Sequence, residues 1–229
     1  MAAHLARFDA MESLLLQVER QTTTRGQSRA ERWTFRKKGR RRVRIDVHFP
    51  VRRLVVVNES DLWEYIPDAR RAAHTDLRPL SEEQRRAALA NVLRPVAIEG
   101  LRFEGGGPEA ELRYLGTRRL GPRPTHCIEC VPADEGGGQR VRGWIDAQRH
   151  VLLRCEFLDD TGQVLAVSEA SRVAEVAPGT WWPHRLTMTL LTSRGARQRV
   201  TFTRVSIGEA MPDSLFRFAA PEDAEVVEH

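Results

Sequence analysis

Cys127-Ile128-Glu129-Cys130 has the spacing of a reactive pair, since two thiols three residues apart can form a redox disulfide or half of a tetrahedral metal site. Extended backbone argues against both, because residues i and i+3 of a strand point to opposite faces, and no second pair or neighbouring histidine completes a ligand set. Cys155 is the third thiol, and the sequence leaves open whether any two of Cys127, Cys130 and Cys155 are bridged. The seven histidines, at 4, 48, 74, 126, 150, 184 and 229, are scattered without ligand spacing, so neither a metal nor a cofactor is expected. There is no Gly-x-Ser-x-Gly elbow, His-Glu-x-x-His helix or phosphate-binding loop, and carboxylates such as Asp159 and Asp160 fall in turns. No catalytic residue is assigned, and the expectation is a protein that is not an enzyme.

The other chemical signal is charge. Arg36, Lys37, Lys38, Arg40, Arg41, Arg42 and Arg44 surround a single glycine. Such a run can meet the phosphates of nucleic acid, lipid head groups or lipopolysaccharide, or an acidic partner at the inner membrane. It can equally be a solvated strand edge that resists edge-to-edge pairing. Aromatic side chains are not interleaved with it, which disfavours nucleic acid. The chain as a whole leans only weakly toward anionic partners, with 36 Lys+Arg against 31 Asp+Glu and a pI near 9.7.

The elements that must carry these residues are mostly strands. Val43, Ile45, Val47 and Phe49 alternate with Arg42, Arg44, Asp46 and His48, the period of a half-buried strand. Leu153, Cys155 and Phe157, then Leu186, Met188 and Leu190, repeat the pattern. Thr22 to Thr24 and residues 29–36 read as the first strands, with Gly26 between them. Further strands are expected at 41–49, 52–58, 61–66, 71–76, 111–120, 124–132, 140–146, 151–159, 164–176, 183–191 and 197–207. Asn58-Glu59-Ser60, Asp160-Thr161-Gly162 and Arg194-Gly195 are among the turns. The separators are too short for crossover helices, so the sheet should be antiparallel. An amphipathic helix is expected over residues 2–20. A second, over 82–93, opens with the capping-box spacing Ser81-Glu82-Glu83-Gln84. No linker divides two cores, so residues 1–229 are read as one domain. No segment is long and apolar enough to span a bilayer. Met1-Ala2-Ala3-His4 lacks the basic start and apolar core of a secretion signal and no lipobox cysteine follows it, so the expectation is a cytoplasmic protein or one whose signal has been removed.

In this order the elements resemble the outer-membrane lipoprotein carrier family, the LolA type with the related lipoprotein-sorting proteins and the acceptor LolB. Residues 54–67, from Leu54 through Asn58-Glu59-Ser60-Asp61-Leu62-Trp63-Glu64-Tyr65-Ile66 to Pro67, resemble the family's hairpin of an apolar strand, a turn and a leucine-tryptophan strand ending in proline. Trp144-Ile145-Asp146 with residues 152–162 resembles its strand pair ending in an aspartate-glycine turn. Trp181-Trp182-Pro183 to Met188, and Met211-Pro212-Asp213-Ser214-Leu215-Phe216, resemble the C-terminal half of the lipoprotein-sorting subgroup. The arginine-proline pair that carriers place before an early strand is missing, so no single arginine here takes the role of holding the lid closed.

The resemblance implies a mainly β fold with a few helices: an unclosed, strongly curved antiparallel half-barrel whose concave apolar face is covered by helices. It implies a periplasmic, non-enzymatic lipid or lipoprotein carrier that shields acyl chains and passes lipoprotein toward the outer membrane. Its partners would be the acyl chains, an inner-membrane releasing complex and an outer-membrane acceptor, with only peripheral membrane contact. The alternative is a sensor of lipid or mislocalised lipoprotein like the N-terminal domain of RseB. The physics agrees: each CH2 kept from water is worth about 0.8 kcal/mol, so a long acyl chain left exposed costs on the order of 10 kcal/mol. The expected lining is Val43, Ile45, Val47, Leu153, Phe157, Leu186, Met188 and Leu190, with Trp63, Tyr65, Leu89 and Leu93 at the mouth or lid.

Overall fold

The computed structural model describes residues 11–93, 111–132, 139–191 and 195–229. Six strands come first: β1 (Ser13–Thr24), β2 (Gln27–Lys38), β3 (Arg42–Phe49), β4 (Arg53–Val57), β5 (Asp61–Ile66) and β6 (Arg71–Asp76). After helix α1 (Glu82–Leu93) come β7 (Glu111–Leu120), β8 (Arg123–Val131), β9 (Arg140–Asp146), β10 (Leu152–Leu158), β11 (Val164–Ala177), β12 (Thr180–Leu190), β13 (Arg197–Ile207) and β14 (Glu225–Glu228). They form a 14-stranded sheet in the order β14-β6-β5-β4-β3-β2-β1-β13-β12-β11-β10-β9-β8-β7. The pairs from β2 to β6 and from β7 to β13 are antiparallel, as short connections require, whereas β14 pairs with β6 in parallel.

Two expectations need correction. The helix expected over residues 2–20 is a strand from Ser13 onward, and residues 1–10 lie outside the described part. Ser13, Leu14, Leu15 and Leu16 are all buried, and so short a buried run cannot be assigned to helix or strand by periodicity. The second correction concerns curvature: the sheet is unclosed, with β14 and β7 as its end strands, but it is not strongly curled. Val55–Val57 on β4 and Cys127–Cys130 on β8 are buried at consecutive positions, so both faces are covered there, and the sheet is not driven to wrap around a single apolar face.

Contacts divide the chain into two compact units. The first holds residues 11–19, 30–93 and 203–229. Its register sets Trp33, Ile45, Val55, Val57 and Leu62 on one face, each no more than 4% exposed. Thr34, Arg36, Asp46, Val56, Trp63 and Tyr65 are on the other. The C-terminal segment is fixed to that second face. Arg44 Nη1 donates to the Leu215 carbonyl at 3.2 Å, Asn58 Nδ2 donates to that of Phe216 at 3.4 Å, and Phe218 packs against Trp63 and Tyr65. The capping box of α1 is reciprocal: the Ser81 N–H donates to Gln84 Oε1 at 2.9 Å, and the Gln84 N–H to Ser81 Oγ at 3.2 Å.

The second unit holds residues 20–29, 111–132, 139–191 and 195–202. Its core is a cluster of Ile128, Cys130, Val141, Ile145, Leu152 and Cys155, with Phe157 packed against it. The reverse face of β8, β9 and β10 is a ladder of ion pairs. Glu129 accepts from Arg140 and Arg142, and Glu156 is paired with Arg142 and Arg154.

Candidate functional site

Directly paired residues of neighbouring strands share a face, so register converts each strand's alternation into a surface. In the second unit Ile128 pairs with Gly143 and Cys130 with Val141, then Cys155 with Gly143 and Phe157 with Val141. The same face continues through Ser168 and Ala166 to Met188 and Leu190, with Leu186 beside them. At its β7 end lie Leu112, opposite Cys130, and Tyr114, opposite Ile128. Four expected lining residues, Phe157, Leu186, Met188 and Leu190, are thus brought together on one apolar face. Leu153 is buried beside them at a register shift between Leu152 and Arg154. Cover over this face is incomplete. Leu186 is 2% exposed, but Phe157, Met188 and Leu190 are only half-buried, and Leu112 and Tyr114 are 49% and 60% exposed. Leu112 and Tyr114 were missed in the sequence, although their alternation in residues 111–114 is the same signal.

The remaining expected residues belong to the first unit and do not share one face. Val43, Ile45 and Val47 lie with Val55, Val57 and Trp33. Trp63 pairs with Val56 and Tyr65 with Leu54, which sets both aromatic rings on the opposite face under Phe218. Leu89 is half-buried on α1, and the side chain of Leu93 lies outside the described residues. A recess of about 390 Å³ on the Trp63 face is lined by Arg42, Asn58, Glu59, Asp61, Asp213 and Arg217, with Phe216 and Phe218. Its lining is polar and unsuited to a hydrocarbon chain.

The charged features resolve into internal pairs. Lys38 and Arg42 both donate to Asp213 Oδ1, at 2.6 and 2.8 Å, and hold its carboxyl below the usual range. Arg36 and Arg44 are bonded to Asp46, and buried Lys37 donates to the Met11 carbonyl at 3.2 Å. Five of the seven cations of the basic run are therefore engaged within the protein, leaving the exposed turn at Arg40 and Arg41.

Cys127 and Cys130 face opposite sides of β8, as the strand period requires, and all three cysteines are buried and outside any disulfide. Burial pushes the Cys155 thiol up to about 12, and raises Cys127 and Cys130 in the same direction. Such thiols are not nucleophiles at neutral pH. Burial also opposes the charge of Glu129, but hydrogen bonds from Arg140 and Arg142 outweigh it and hold the carboxyl below its ordinary value. Among the described residues no group of His, Cys, Asp and Glu is placed to hold a metal, and no helix is long and apolar enough to cross a membrane. The arrangement suits adsorption of hydrocarbon on the apolar face.

Comparison with known proteins agrees with this geometry. The chain superposes on a crystal structure of a candidate outer membrane lipoprotein-sorting protein domain from Vibrio parahaemolyticus with a TM-score of 0.65, at 15% identity over 93% of each chain. A DUF1329 family protein from Desulfovibrio piger gives a TM-score of 0.65 at 15% identity, covering 94% of each chain. A LolA superfamily protein from Nitrosomonas europaea gives 0.59 at 15% identity, covering 94% of this chain and 96% of that one. The chain shares its fold with these three structures. No curated protein matches the sequence. A family model described as "-like: Uncharacterized protein" matches residues 52–220.

Proposed function

We propose a function from the premise that this chain belongs to the family whose model spans residues 52–220. The protein is a non-enzymatic periplasmic carrier that takes up the acyl chains of a lipoprotein or lipid and passes lipoprotein toward the outer membrane. It receives its cargo from an inner-membrane releasing complex and delivers it to an outer-membrane acceptor, touching membranes only peripherally. The observation that carries this reading is the incomplete cover of one apolar face, where Phe157, Met188 and Leu190 are half-buried and Leu112 and Tyr114 are exposed beside a fully buried floor. Soluble proteins seldom leave such apolar area uncovered unless something binds it. Leu186 and Leu153 line the same face, and in the first unit Val43, Ile45 and Val47 line an apolar face of their own.

Binding of a fluorescent acylated peptide tests this. The wild-type protein should bind the acylated peptide and not its unacylated form. Met188→Glu should weaken binding about ten-fold or more while keeping the melting temperature close to that of the wild type, because full burial of such a side chain is worth about 1.5–3 kcal/mol. Equal binding of the two peptides, or unchanged affinity in Met188→Glu, would remove the proposal.

A further inference from the structure

The arginines of β8 to β10 are matched by carboxylates, and so is Arg204 of β13 by Glu209, but Arg185 of β12 and Arg199 of β13 are not. On β12 Arg185 pairs with Ser171 on one side and Thr201 on the other, and Thr187 pairs with Arg199. Arg185 and Arg199 are therefore diagonal neighbours on one face, amid the hydroxyls of Ser171, Thr187 and Thr201. Arg172 follows Ser171, and alternation sets it with Ser168 and Ala170 on the other face. The nearest acid of that face, Glu169, is engaged by Arg154 at 2.7 Å. Among the described residues no carboxylate pairs with Arg172, Arg185 or Arg199, and Arg185 Nε is shielded from solvent without a hydrogen-bond partner. The charge of Arg172 is the largest of the influences that lower the Arg185 guanidinium below its ordinary range, followed by burial and by Arg199.

We propose that Arg185 and Arg199 form a binding site for a phosphate-bearing anion. Guanidinium forks match the oxygens of a phosphate in geometry as well as charge, and a dianion offsets the mutual repulsion of two cations better than a single carboxylate does. The site lies on the face opposite Leu186 and Met188 and stands independently of the carrier reading, since it needs only the phosphate group, whether free or on a lipid.

The test is calorimetric titration and thermal unfolding with inorganic phosphate at constant ionic strength, alongside sedimentation with phosphatidylglycerol or phosphatidylcholine vesicles, for the wild type, Arg185→Gln and Arg199→Gln. Phosphate should raise the melting temperature of the wild type, and each variant should bind it at least about ten-fold more weakly. In phosphate-free, low-salt buffer Arg199→Gln should melt no lower than the wild type, because it removes a repulsion. A response to phosphate alone assigns a free anion. Sedimentation with phosphatidylglycerol and not phosphatidylcholine, lost in both variants, assigns a lipid head group. Silence in both arms, responses that survive both substitutions, or a lower melting temperature of Arg199→Gln without phosphate would overturn the site.

Discussion

A carboxylate withdrawn from water is costly unless its charge is answered, and Glu129, 3% exposed, is answered by both Arg140 and Arg142. Glu129→Gln should lower stability by on the order of 2 kcal/mol at neutral pH, measured by urea unfolding. The Glu129 carboxyl is held below its unfolded value of 4.5, so its contribution is present above that pH and lost as pH falls through the folded value. The gap between wild type and variant should therefore close on acidification, and equal stabilities at neutral pH would contradict the assignment. Residue-scale electrostatics were only half legible in the sequence. The run from Arg36 to Arg44 reads as a patch because its neighbours in sequence are basic. The acid that takes Lys38 and Arg42 is Asp213, more than 170 residues away, and only the fold brings it there.

At the scale of elements, β14 shows how a short piece can be secured. It pairs in parallel with β6, and His74 joins the two by bonding Glu228 Oε2 through Nδ1 at 2.7 Å and Asp61 Oδ1 through Nε2 at 3.0 Å, with its ring stacked on Trp63. Burial opposes protonation of His74, but the bonds to Asp61 and Glu228 outweigh it and raise its pKa above 6.5. The Asp61 pKa is lowered, first by the Ser60 hydroxyl and, against burial, by His74 and Asn58. The stabilisation from His74 is complete below its unfolded pKa and is lost as pH rises through the folded one. That from Asp61 fades only in acid. Hydrogen-exchange protection of the β14 amides should therefore fall as pH is raised from about 6 to about 9, and His74→Gln should flatten this dependence. Protection independent of pH in the wild type would contradict the latch. Sequence periodicity located β3 to β13 closely, because alternation and Gly, Asn and Asp turns mark their limits. It misread β1, where consecutive burial erases the period, and passed over β14, whose four residues gain their partner only through a parallel pairing with β6.

For the whole molecule, the apolar face was legible strand by strand and not across strands. Alternation correctly grouped Leu186, Met188 and Leu190, but nothing in the sequence fixes the register that sets Trp63 and Tyr65 opposite to Val43, Ile45 and Val47. Nor does a one-sided apolar pattern reveal that β4 and β8 are covered on both faces, the circumstance that leaves the sheet less curled than expected. What survives is an apolar face with exposed margins, in a fold shared with a lipoprotein-sorting protein domain and a LolA superfamily protein. Its central claim is that hydrocarbon occupies that face. Native mass spectrometry of the protein isolated from a Gram-negative host is the direct measurement. The account predicts adducts with the masses of acylated lipids, released by detergent and diminished in Met188→Glu, and a spectrum of the bare chain that stays bare after incubation with acylated peptide would contradict it.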